Sequence, residues 1–256
     1  MRSDIDIVHI GCQSRYVNTV NSSASTSVAR SAGWVSILQG LLIFVPMVVL
    51  GAAINWPESL SDPADIALPR LLENEGAVRL GYVAYLIYSI LFAATMALLV
   101  RYVRGATLGV VAAVIIGFAM ISALARSIGI IRWLVPAPEL AESYAAAPSE
   151  TERVAIGVVF DSLNSYGGTI GEVLGVSIFA ALAIGLLSIA ALRSRALPVW
   201  LGVFGLIAAL AVLSTAIELF GADASSVAFF GTTVVQLWFL TIGIWLLFRG
   251  RKTSAA

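Results

Sequence analysis

The sequence predicts an all-α fold: a polytopic bundle of six transmembrane helices, both termini cytoplasmic, with short surface helices on the outer side. Two observations carry this expectation. First, six apolar windows (Gly33–Asn55, Gly81–Val100, Ala106–Ala125, Val173–Leu192, Ala196–Ile217 and Val227–Phe248) each run 20 to 23 residues without Asp, Glu, Lys, Arg or His. At 1.5 Å per residue, about 20 residues cross a hydrocarbon core of about 30 Å. Second, a chain that crosses at every window sorts its charges. One side receives Arg2, Arg15, Arg30, Arg101, Arg104, Arg193, Arg195, Arg249, Arg251 and Lys252 against Asp4 and Asp6, a balance of +8. The other side receives five Arg and 13 acids, a balance of −8, so the formal net charge of zero conceals a separation. Basic residues mark the cytoplasmic side.

Composition agrees. The 256 residues are 59% hydrophobic and 12% charged, about half the charged fraction of a soluble domain, and the mean hydropathy is +0.95. The domain reading is a polar cytoplasmic tail over 1–29, a six-span domain over 30–249 with long outer segments 56–80 and 135–171, and a cytoplasmic tail over 250–256. No basic stripe stands outside the loop clusters, so no nucleic-acid surface is expected.

The elements follow in order. Residues 1–30 lack the apolar run of a signal peptide and read as a tail that turns helical near Ser27. The single histidine, His9, and the single cysteine, Cys12, lie in this tail. No intramembrane His is therefore available for haem or zinc, and no internal disulfide framework can form; no metal and no cofactor is expected. The outer segment 56–80 carries five acids and three prolines, and Ile66, Leu68, Leu71, Leu72 and Val78 give a short surface helix its apolar stripe. Arg101–Gly105 and Arg193–Arg195 read as tight inner hairpins whose Arg residues sit at headgroups.

In the second outer segment, Pro136, Pro138 and Ala145–Ala147 read as loop. Ser149 and Glu152 then have capping-box spacing. A helix from there to Leu192 would exceed 40 residues, twice what a bilayer needs, so a break is expected at Gly167-Gly168. Glu152–Tyr166 becomes an outer helix, either lying in the interface or dipping back into the bundle, with Ile156, Val159, Phe160 and Leu163 as its apolar stripe.

Two features bear on function. Gly167, Gly171 and Gly175 recur every four residues, a spacing that lets helices approach closely in lipid. Polar residues also gather in the outer halves of the spans: Arg126, Glu172, Glu218, Thr233, Gln236 and Tyr85, with Asp161 and Asn164 just before the fourth span. The inner halves are almost purely aliphatic, Gln39 excepted. An ionised side chain at membrane depth costs about 2.5–3.5 kcal/mol on insertion scales, so it pairs or faces water. The expected pair is Arg126 with Glu172 or Glu218, around an outward-facing polar vestibule; Arg132 is expected as a headgroup anchor. Nothing resembles a nucleotide loop, a dinucleotide fingerprint or a zinc-protease motif.

The segments SDPADIALPRLLENEGAVRLGYVAYLIY (Ser61–Tyr88) and RALPVWLGVFGLIAALA (Arg195–Ala211), with six spans and a long loop before the fourth, resemble the bacterial membrane family called domain of unknown function 4386. The resemblance covers roughly Ala29 to Phe248. It implies a protein of the bacterial cytoplasmic membrane with no assigned activity, and it transfers no catalytic residue.

The function expected is that of a non-enzymatic membrane protein which binds or moves a lipid or small amphiphile through the vestibule. Two other classes stay open. One is a structural or accessory subunit, with a membrane-protein partner or a second copy of the chain. The other is a His-free enzyme working through Asp161, Glu172 and Glu218.

Overall fold

The computed structural model describes residues 26–103, 109–222 and 225–252. His9, Cys12 and most of the polar tail, Arg104, and the residues from Thr253 onward lie outside this set. The first helix begins at Thr26, within one residue of Ser27, where the tail is expected to turn helical.

Among the described residues there is no strand, and six helices are long and apolar enough to cross a membrane. They follow the six windows. In chain order the helices are α1 (Thr26–Ile54), α2 (Ala64–Glu73), α3 (Glu75–Val103), α4 (Gly109–Leu134), α5 (Pro136–Ala146), α6 (Glu150–Ser194), α7 (Val199–Phe220) and α8 (Ser225–Lys252). α1 turns once, at Ile43, where Pro46 removes the N–H that would bond one turn back. It ends at Asn55, which takes the left-handed conformation (φ 58°) while the Trp56 N–H bonds Leu50 O, six residues back. That is the closure a short polar side chain allows at a helix C-terminus. α6 ends likewise at Arg195 (φ 54°), with Pro198 opening α7.

Within the bundle, α4 packs on α3 and α6, α7 lies between α6 and α8, and α1 lies against α3. The membrane-level core is built from Phe92, Met96 and Leu99 of α3, Ile184 and Leu187 of α6, and Trp238 and Phe239 of α8. Large apolar side chains such as Trp34, Val48, Val110 and Leu210 point outward. That is costly in water and ordinary in lipid.

A second core stands at the acidic-loop end. α2, α5 and the first half of α6 pack on one another over Leu68, Leu71, Trp133, Ala137 and Phe160. Three expectations change here. The stripe of α2 that is buried is Ala64, Ala67, Leu68 and Leu71, while Ile66 and Leu72 face out. The segment around Pro136 and Pro138 is helix rather than loop, because both prolines stand in the first turn, where no intrahelical N–H bond is lost. No break falls at Gly167-Gly168: Glu150–Ser194 is one continuous helix of 45 residues, about 65 Å long. It starts where the capping spacing indicated, with Ser149 Oγ accepting from the Glu152 N–H at 3.3 Å. Of its expected apolar stripe, Phe160 is buried and Ile156 packs on the core, but Val159 and Leu163 are exposed.

Candidate functional site

α4 places Ser122, Arg126, Gly129 and Arg132 at intervals of four, three and three, hence on one face. This face lies on the glycine stripe of α6. A Cβ built at Gly175 would stand 2.8 Å from Arg126 Cγ, one at Gly171 3.2 Å from Gly129 Cα, and one at Gly167 2.8 Å from Arg132 Cδ. The three glycines therefore set the axial register of the two helices, and each leaves room for what stands opposite. Ser122 Oγ donates to Gly175 O at 2.7 Å across the same seam. Over Thr169–Ala180 the helix is wound wide, with π-type turns. Ser177 Oγ reaches Glu172 O, five residues back, at 3.1 Å and is hydrogen-bonded to the Thr215 hydroxyl of α7. Wide turns of this kind recur at functional sites.

The register separates the two arginines of α4. Arg126 is 4% exposed. Its guanidinium carbon lies 4.4 Å from the Phe92 ring centroid and 5.6 Å from that of Tyr88, a cation–π arrangement. Its Nε and Nη2 have no hydrogen-bond partner, and no ion pair among the described residues includes it. Tyr88 is fixed from α8, where Gln236 Nε2 donates to its hydroxyl at 2.6 Å. Its backbone carbonyl accepts from Gln39 Nε2 of α1 at 3.4 Å. Gln236 Oε1 is buried without a partner.

These groups line one cavity between α3, α4, α6, α7 and α8. It is polar at Tyr88, Arg126, Thr232 and Gln236 and apolar elsewhere, from Phe92 to Val235. About 20 Å³ is open to the centre of a water-sized molecule, room for one or two waters. Tyr88 and Gln236 each stand 13 residues from the basic end of their helix, at Arg101 and Arg249. That is about 20 Å along the axis, past the middle of a 30 Å core and toward the acidic loops.

Arg132 belongs to a second cluster, one layer nearer the acidic loops. It is 8% exposed, so it is not a headgroup anchor. Nη1 donates to Gly129 O at 2.7 Å, Nε to Asn164 Oδ1 at 3.2 Å, and Nη2 stands 3.8 Å from Glu172 Oε1. Asn164 Nδ2 in turn donates to Leu60 O at 2.8 Å, tying α6 to the first outer segment. Trp133 stacks on Tyr82, centroids 5.3 Å apart at 4°, and meets Phe160 edge-on.

The predicted residues thus divide. Arg126 and Gln236 meet in the cavity, and Tyr85 sits beside it, 5.9 Å from the Tyr88 ring. Glu172 and Asn164 go to Arg132, so the expected Arg126–Glu172 pair does not form: Glu172 follows Gly171, which faces Gly129, and its carboxylate reaches the arginine on the acidic-loop side. Asp161, Glu218 and Thr233 are exposed, and none of them lines the cavity. The three carboxylates therefore do not converge on an enclosed site, which an acid–base enzyme needs. No group of three His, Cys, Asp or Glu side chains able to hold a metal occurs among the described residues. Sequence reasoning missed Phe92 as the ring beneath Arg126. Its signal was the four-residue spacing from Tyr88, which puts two aromatic faces one turn apart on α3.

No curated protein and no solved structure matches the chain. A family profile does, over residues 31–250, which takes in all six spans, the glycine stripe and both arginine clusters; this multi-pass helical membrane protein belongs to the family described as Domain of unknown function (DUF4386).

Proposed function

We propose that the bundle is a membrane-embedded binding protein whose cavity takes the anionic head of a lipid or small amphiphile at Arg126. One observation carries this reading: a cation 4% exposed that lines the cavity, with two of its donors unpaired and no ion pair among the described residues. Burying an unpaired charge costs several kcal/mol, and two aromatic faces return only part of it. An anion in the cavity supplies the rest. Arg126→Gln should therefore strip the co-purifying anionic amphiphile from detergent-extracted protein, while circular dichroism shows the helices intact. The fold survives because no partner charge is left stranded. Equal amphiphile content in variant and parent, by lipid extraction and mass spectrometry, would refute the reading.

The proposal includes an orientation, with the cavity nearer the outside of a bacterial cytoplasmic membrane and both termini inside. The charge separation supports it. In a Cys12→Ser background, a membrane-impermeant thiol reagent added to intact cells should label Ser61→Cys and Ala146→Cys but spare Ser194→Cys. All three positions are exposed in the fold, so access depends on the side of the membrane. Labelling at 194 with protection at 61 and 146 would invert the topology.

A further inference from the structure

Resting on that reading, we infer that the group held at Arg126 is a carboxylate, a planar monoanion that meets the guanidinium along its Nε–Nη2 edge. Three features select it. The free donors of Arg126 are Nε and Nη2, neighbours on one edge of the guanidinium plane. Two parallel N–H bonds from one edge match the two oxygens of a carboxylate. Charge is the second feature. Among the residues lining the cavity, Arg126 is the one cation, and the walls beyond it are Phe92, Val176, Ala180, Ile184, Val212 and Val235. A dianion such as a phosphate monoester would bring in a second negative charge with no second cation among the lining residues to compensate it.

Size is the third feature. The space suits one or two waters, which is the scale of a CO₂⁻ group. A phosphodiester is a monoanion too, but it is tetrahedral and carries a substituent on either side, and it would have to push α6 or α8 outward. Below the level of Tyr88 and Gln236 the lining is apolar, since Phe92 follows Tyr88 on α3 and Ile184 follows Ala180 on α6. An acyl chain on the carboxylate would meet apolar side chains there and would have to part them to enter, at less cost than a second polar substituent. A carboxylate reaches this place from either of two sources, the head of a fatty acid or a free short-chain acid.

The experiment is a thermal titration of the full-length protein in dodecyl maltoside, followed by tryptophan fluorescence, with sodium acetate, decanoate, decyl phosphate and decanol at a fixed micelle concentration. Decanol reports partition of the chain alone. Decanoate should raise the melting temperature where decanol does not, with an apparent affinity at least about tenfold above that of decyl phosphate. Arg126→Gln should weaken decanoate about tenfold or more, the scale of a charge-assisted pair. Arg126→Lys keeps the charge without the planar edge and should fall between; it also replaces the Gln variant as the test if that variant does not fold. Acetate acting as strongly as decanoate names the short-chain acid, and acetate acting much more weakly names the fatty acid. If decyl phosphate binds as well as decanoate and both depend on Arg126, the anion site stands and the carboxylate assignment falls. If decanoate acts no better than decanol, or equally on parent and both variants, the assignment and the reading beneath it fall together.

Discussion

Gly171→Leu is expected to lower the melting temperature of the solubilised bundle sharply, or to prevent recovery of a monodisperse protein. The reason is what stands opposite. A Cβ at Gly171 would lie 3.2 Å from Gly129 Cα and 3.8 Å from both Ala125 O and Gly129 N. These are backbone atoms of α4, and they cannot swing aside as a side-chain tip can. Three further carbons of leucine would have to enter the same seam. Overpacking a core costs about 1–3 kcal/mol when side chains can adjust, and about 3 kcal/mol or more is expected where the backbones themselves must part. Gly171→Ala is the graded control. One methyl asks the neighbour to yield a few tenths of an ångström, and alanine returns about 1 kcal/mol of helix propensity. Near-parent melting is expected for alanine and a collapse for leucine. A leucine variant that melts with the parent would mean that this face of α6 does not seat α4 in solution.

The same seam shows what could and could not be read from the residues alone. The spans were legible because lipid imposes a single length and a single chemistry on each, and the glycine spacing was legible as a packing face. Arg126 and Gln236 stood out because a polar side chain in such a span is rare enough to notice. The partner of each arginine was not legible. Two arginines six residues apart on α4 lie about 9 Å apart along the axis, and either can be matched to Glu172 until the register is known. That register is set by Gly167, Gly171 and Gly175, which report only that helices come close. The unbroken course of α6 was hidden for another reason. A break was expected because a bilayer needs only half its length, but one face of the first half is covered by protein: Gly157 lies close to Ala64 of α2, and Phe160 is buried beside Trp133. A helix that leaves the bilayer into such a cap keeps a buried face and has no cause to stop.

That cap supplies the second large effect. Arg132→Gln is expected to cost about 3 kcal/mol, and Glu172→Gln less than about 1. The asymmetry follows from the geometry of a pair that looks symmetric on paper. Arg132 is almost wholly buried; its stem fills the space that Gly167 leaves, and its head bonds Gly129 O and Asn164 Oδ1 at 2.7 and 3.2 Å. Glutamine is too short to reach Asn164 and opens a void against α6, and both losses carry full cost in a packed interior. Glu172 contributes a contact at 3.8 Å from a side chain that is 48% exposed, where an ion pair is worth little. The double variant should melt close to Arg132→Gln alone, since little coupling remains to be recovered. Thermal melts of the three variants in one detergent read this directly. Were Glu172→Gln as damaging as Arg132→Gln, and the double variant more stable than either, the charge pair would be what ties α4 to α6 at this level, and the packing of Arg132 into the glycine seam would be secondary.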